Sequence, residues 1–167
     1  ADFGSLQPAF RPYFPEWEKV FGLARAVTRS GVHVFKVSFA DYRAPGEVWC
    51  RLAVPADASL DEVAGAVLRA FKFSDTDHLY EFRFRDRMGK GRAFFHPYTD
   101  EGPYADEIAV GDIGLPEKGI MKFMFDYGDS WRFELRLERI EPPGKKDAPI
   151  KVIESTGKPP KQYPDWD

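Results

Sequence analysis

The sequence predicts an α+β fold, a mostly antiparallel sheet with one main amphipathic helix on one face, in the β-grasp order strand, strand, helix, strand, then further strands. Three observations carry this expectation. VHVFKVSFA, HLYEFRFR and WRFELRLERI alternate apolar and polar residues with period two, the pattern of half-buried strands. SLDEVAGAVLRAFKF places its apolar residues at helical spacing, so one helix can cover one sheet face. Fifteen Phe in 167 residues supply enough ring area for a thick aromatic core.

Residues 1–30 read as an N-terminal helical appendage, or as the tail of an upstream region. LQPAFRPYFP is rich in Pro and aromatics, and Trp17, Phe21, Ala24 and Val27 then recur at helical spacing, with Gly22 weakening the pattern. Residues 31–140 read as the core domain. Phe35, Val37 and Phe39 alternate with Lys36 and Ser38 in the first strand. DYRAPGE is a loop, and VWCRLAV, closed by Pro55, is the second strand of a long-looped hairpin. Ser59 and Glu62 form a capping box, each side chain meeting a free backbone amide, and Leu60, Val63, Ala64, Val67, Leu68 and Phe71 follow as an apolar stripe.

Tyr80, Phe82 and Phe84 then face one way and Glu81, Arg83 and Arg85 the other. DRMGKGR is a glycine-bearing turn, AFFHPYTDEGPYADE is irregular after a short strand at its start, and IAVGDIGLP is a short extended piece and turn. The last strong pair of strands flanks FDYGDSW. Residues 141–167 read as an extended, Pro- and Lys-rich arm in which IKVIE is the only apolar patch.

Strand parity constrains the loop inside FDYGDSW. A two-residue Gly128-Asp129 turn is chemically sound but pairs Phe125 with Arg132, turning core residues of one strand toward the charged side of the other. Pairing Phe125 with Trp131 requires a loop of three or five residues, or a bulge. Asp126, Tyr127 and Asp129 then project from a loop wider than the tightest turn.

Charge and cysteine content narrow the function classes. A net charge of −3 lacks the basic excess usual in nucleic-acid domains. A single cysteine, Cys50, excludes an internal disulfide framework and fits a cytoplasmic protein. No apolar run is long enough to span a bilayer, so no membrane partner is expected. The chain does not open on Met and reads as a processed chain or a piece of a longer protein.

Three motifs in order, HVFKVSFADYRAPGEVWCRLAVPADASLDEVAGAVLRAF, DTDHLYEFRF and FDYGDSWRFELRLERI, resemble the Ri-plasmid ORF-three-like family, also labelled TnpR-like passenger proteins of insertion sequences. The resemblance runs from Val32 to Pro160, with PIKVIESTGKPPKQYP departing from the family's usual Gly- and acid-rich ending. It implies an α+β domain, an association with mobile genetic elements and no settled activity. A resolvase chemistry, which needs a nucleophilic Ser or Tyr with clustered Arg, is not legible in these residues.

The expected function is therefore a non-catalytic binding module with no catalytic residues, no cofactor and a protein or small ligand as partner. Its candidate binding residues are His78, Tyr80, Asp126, Tyr127, Asp129 and Trp131. Asp126 and Asp129 with His78 make up the alternative of a metal-dependent or nucleic-acid-processing enzyme, hard oxygens plus one imidazole suiting several divalent ions. Against it, Asp in turns ordinarily accepts loop amides, and no spaced metal-ligand motif is present. Trp131 begins an apolar strand face and reads first as core. Arg83, Arg85, Arg87, Lys90 and Arg92 form the most basic stretch and carry a second alternative, non-catalytic DNA binding. Arg83, Arg85, Arg132 and Arg136 line one outer sheet face with Glu81, Glu134 and Glu138 between them, the composition of a solvated, ion-paired face.

Overall fold

A computed structural model describes residues 29–44 and 47–163. Seven strands form one sheet: β1 (Val32–Phe39), β2 (Trp49–Pro55), β3 (Tyr80–Arg85), β4 (Gly91–Phe95), β5 (Ile120–Phe125), β6 (Trp131–Glu141) and β7 (Lys151–Thr156). One α-helix, α1 (Leu60–Ala70), lies between β2 and β3, and two short 3-10 turns, Ala105–Glu107 and Val110–Asp112, lie between β4 and β5. Spatial order is β4-β3-β5-β6-β1-β2-β7, and every neighbouring pair is antiparallel.

This overturns the α+β class with β-grasp order. A β-grasp sheet sets its first strand parallel to the last one at the centre. Here β5 and β6 enter the centre together as a hairpin, and the added strand reverses the chain direction beside β1, so β1 and β6 pair antiparallel. The helix carries the chain past β1, β6 and β5 to β3, which runs in the same direction as β2 without touching it. The result, among the described residues, is a predominantly β architecture with one α-helix. The helical appendage expected over residues 1–30 falls on residues 1–28, outside the described residues. No helix among the described residues is long and apolar enough to cross a membrane.

Local expectations fare better. Ser59 Oγ accepts from the Glu62 amide at 3.1 Å, and Glu62 Oε2 accepts from the Ser59 amide at 2.8 Å, completing the capping box. Such a cap contributes about 1 kcal/mol. Phe125 faces Trp131 across a five-residue loop, Asp126–Ser130, as parity requires. The segment read as an extended arm supplies β7, whose six residues are all exposed at the sheet edge. Ile153 is the extra residue of a register shift there, a bulge of the kind that blunts edge strands against further pairing.

The core lies between the sheet and α1. Phe35, Val37, Leu52, Phe82, Phe123, Phe125, Phe133 and Leu135 meet Leu60, Val63, Val67 and Phe71 in one cluster. Phe82 stacks on Phe123 with centroids 4.6 Å apart, and Phe71 meets Phe133 edge-on at 5.0 Å. Each such ring contributes roughly 1.5–3 kcal/mol by burial alone. By alternation, Lys36, Glu81, Arg83, Arg85, Lys122, Met124, Arg132, Glu134 and Arg136 point to the opposite face, and each is partly or fully exposed.

Candidate functional site

The β5–β6 loop is built by its own aspartate. Asp126 takes φ +60°, which Asp tolerates better than most residues, and its Oδ1 accepts from the Gly128 amide at 2.9 Å and the Asp129 amide at 3.4 Å. The Ser130 amide closes the loop on the Asp126 carbonyl at 2.6 Å. The Asp126 amide donates to the Leu79 carbonyl at 2.8 Å, tying the loop to the entry of β3.

That tie brings His78 beside the loop. His78 Nδ1 lies 3.8 Å from Asp126 Oδ2, and its Nε2 lies 3.1 Å from Asp75 Oδ2. The hydrogen bond with His78 is the main reason the Asp75 carboxyl is held below the usual carboxylate range. Tyr163, near the end of the chain, donates its hydroxyl to Asp75 Oδ2 at 3.1 Å and sits 3.4 Å from His78 Nε2. Beside it, Gln162 Oε1 accepts the Ser74 and Asp75 amides at 3.0 and 2.9 Å, while its Nε2 donates to the Asp75 carbonyl at 2.7 Å. Asp75, Gln162 and Tyr163 were not singled out by sequence. The contacts of Gln162 and Tyr163 span more than eighty residues of chain, and no local pattern encodes them, whereas Asp75 meets His78 only three residues on.

The remaining candidates divide. Tyr80 is buried and donates its hydroxyl to Asp61; burial first, and then this carboxylate, push its phenol well above the ordinary range. Tyr127 is half-exposed and donates to the Tyr80 carbonyl at 3.4 Å. Trp131 is a core residue, packed edge-on against Phe73 at 5.0 Å, and its Nε1 has no hydrogen-bond partner among the described residues. Arg43 covers the Trp131 ring at 3.6 Å and reaches the carbonyls of Asp129 and Ser130. Asp129 thus serves the loop through its backbone. His78 and Asp126 come together without Asp129. Among the described residues no group of three or more His, Cys, Asp or Glu side chains is placed to hold a metal ion.

The basic residues gather elsewhere. A hollow of about 390 Å³ on the open sheet face is lined by Glu81, Arg83, Lys122, Met124, Arg132 and Glu134 among others. A second of about 770 Å³ adjoins it, sharing Arg83, Lys122 and Glu134 and adding Arg85 and Arg92. Arg83 is held by Glu81 through Nε at 2.6 Å, and Arg85 donates to the Gly89 carbonyl at 2.9 Å. Among the described residues Lys122, Arg132, Arg136 and Arg92 have no carboxylate within 4 Å. Ion pairing on the open face is therefore partial, and the unpaired cations concentrate on β5 and β6, while Arg92, opposite Phe84, turns to the helix side of the sheet. Arg87 and Lys90 sit in the β3–β4 turn, where Asp86 Oδ1 accepts the Lys90 amide at 3.0 Å. Lys122 escaped the candidate set because it lies alone between core residues of β5; the strand order sets it beside Arg83.

The chain matches the family described as "Plasmid pRiA4b ORF-3-like protein" over residues 31–163. It belongs to that family. The plasmid pRiA4b ORF-3-like domain therefore includes β7 and the Gln162 and Tyr163 contacts as well as the central sheet. A curated relative is the uncharacterized protein y4hQ of Sinorhizobium fredii (strain NBRC 101917 / NGR234), 30% identical over 112 residues, which are 64% of this chain and 54% of that protein. The chain thus spans about half the length of the relative it matches. The crystal structure of MM3350, a protein of unknown function from Methanosarcina mazei Go1, shares the fold with a TM-score of 0.64 at 21% identity, covering 77% of this chain and 71% of that one.

Proposed function

We propose that this plasmid pRiA4b ORF-3-like chain is a non-catalytic binding module that receives an anionic partner on its open sheet face. One observation carries the reading. Lys122, Arg132 and Arg136 have no carboxylate within 4 Å among the described residues, although Glu134 stands opposite Lys122, and they line up beside Arg83 and Arg85, in a protein whose net charge is −3. Cations left unpaired on one face of an acidic chain focus a local positive potential, which attracts anions faster than the net charge allows. The constellation around His78 supports the same reading from the other side. Its polar atoms are turned on one another and on loop amides, so they do the work of structure. A cytoplasmic place of action fits the free, buried thiol of Cys50.

Retention on a heparin resin at low salt tests this reading. The wild-type chain is expected to bind and to elute with salt, and the double variant Lys122→Glu, Arg136→Glu to pass in the wash with an unchanged melting temperature. Equal retention of the two proteins, or passage of both, overturns it.

A further inference from the structure

We infer that the anionic partner is a single-stranded nucleic acid lying along the trough formed by the two adjoining hollows; this rests on the binding role just proposed for the open face. The cations come from three neighbouring strands: Arg83 and Arg85 on β3, Lys122 on β5, and Arg132 on β6, with Arg136 of β6 beside the trough opposite Ile120. Strands sit about 4.8 Å apart, so three of them spread the charges over roughly 10 Å. One phosphate or one carboxylate spans a fraction of that distance. A chain of anions spans all of it.

The floor of the trough separates nucleic acid from an acidic peptide. Met124 and Ile120 are partly exposed between the cations, and Phe95 lies at the margin with the Arg83 guanidinium 5.7 Å from its ring. The Phe95 ring and the Arg83 guanidinium offer planes on which bases stack without regard to sequence, and Met124 and Ile120 add apolar contact. Glu81, held by Arg83, and Glu134 place carboxylate acceptors in the same floor. The amino groups of cytosine and adenine donate to such carboxylates, whereas an acidic peptide adds only more carboxylates there. Cations at the walls and acceptors in the floor match a ligand that carries anions and donors together.

Shape favours a single strand over a duplex. Duplex readers commonly insert a helix or ribbon into a groove. The only α-helix among the described residues packs on the opposite face of the sheet, and its first turn exposes the acidic Glu62. A flexible strand can follow the twist of an open sheet.

The test is fluorescence anisotropy of the purified chain with a labelled mixed-sequence 12-nucleotide DNA strand, its RNA equivalent, the corresponding duplex and a labelled polyglutamate of similar length. The expected result is binding of a single strand that weakens steeply between 50 and 200 mM salt, as release of counterions from about four phosphates requires. Lys122→Glu and Arg136→Glu should each weaken it about tenfold or more, and Arg69→Glu on α1 should leave it unchanged. Tighter binding of duplex, or polyglutamate binding as tight as the oligonucleotides, overturns the nucleic-acid inference while the anionic-partner role stands. Binding of none of the probes overturns both.

Discussion

The Arg43 guanidinium lies 3.6 Å from the centroid of the Trp131 ring while its Nε donates to Asp41 Oδ1 at 2.8 Å. One side chain thus joins the β1–β2 loop to the β5–β6 loop and lids the end of the aromatic core. The Asp41 carboxylate is 4% exposed, so removing its partner leaves a nearly buried charge. Arg43→Ala is expected to cost about 2–3 kcal/mol in urea unfolding, and Arg43→Lys to recover only part, since an ammonium cannot both stack and form the fork. The bond from Arg43 also holds the Asp41 carboxyl below its ordinary range. The sign follows: this stabilisation is complete above the unfolded value near 4 and drains away as pH falls through the lower folded value. In Arg43→Ala, unfolding titrations between pH 5 and 3 should lose that component of the pH slope. An unchanged slope removes the assignment.

His33 gives the opposite end of the pH scale. It is buried on β1, opposite Val54 and Ile140, with Nδ1 unpartnered among the described residues. Burial first, and then the nearby Arg29 charge, hold its pKa below 6.5. Below pH 6.5 the unfolded chain therefore binds a proton that the folded chain resists, and stability declines with falling pH until the lower folded value is reached. Melting temperatures at pH 7.5 and 5.5 should differ in the wild type, and His33→Leu should shrink the difference. Leu fills similar space without a buried polar atom. A difference that persists undiminished in the variant assigns the effect to other groups.

The local physics was legible in the sequence and the global topology was not. The Ser59–Glu62 cap, the apolar stripe of α1 and the pairing of Phe125 with Trp131 each depend on residues within about a dozen positions, where periodicity and parity decide. Whether β6 joins β1 parallel or antiparallel depends on how many strands enter the sheet between distant segments, and β4 and β7 carry almost no alternation to announce them. β4 is Gly, Arg and Ala before its two Phe, and β7 is exposed on both faces. The open face was visible as alternating Arg and Glu, but which charges pair required the strand order. Parity suggests that Lys122 and Glu134 neutralise each other across β5 and β6, yet they stand opposite without closing to 4 Å.

Asp126 separates a structural loop from a chemical one. Its φ of +60° and the two amides on Oδ1 require a short side chain with an acceptor. Asp126→Asn keeps both and is expected to stay within about 0.5 kcal/mol of the wild type, while Asp126→Ala loses about 1–2 kcal/mol. Equal losses in the two variants point instead to the carboxylate charge beside His78 as the stabilising feature.

Cys50 tests the integrity of the β1–β2 hairpin. It is 2% exposed, and burial pushes its thiol up to about 11. At pH 8 about one thiol in a thousand is then thiolate, and that one is shielded. Ellman's reagent should leave the native chain unlabelled over minutes and modify one thiol per chain in guanidinium. Rapid native labelling would show that β2 opens locally at its β7 side.

Gln162 is the hinge pin of the C-terminal segment. Its side-chain amide pairs with the backbone of Ser74 and Asp75 as a strand would, through two accepted bonds and one donated. Truncation in Gln162→Ala strands two amides and a carbonyl at a site where the side chain is 7% exposed, an expected cost of about 2 kcal/mol. Gln162→Glu keeps the acceptors and loses the donor, so it should fall between. The more specific consequence is local. Without the clasp Tyr163 no longer reaches Asp75, and amide exchange should accelerate at Ser74 and Asp75 and along β7 while α1 and β6 keep their protection. Uniform acceleration across the sheet would mean that Gln162 supports the whole fold rather than fastening one end of the chain to it.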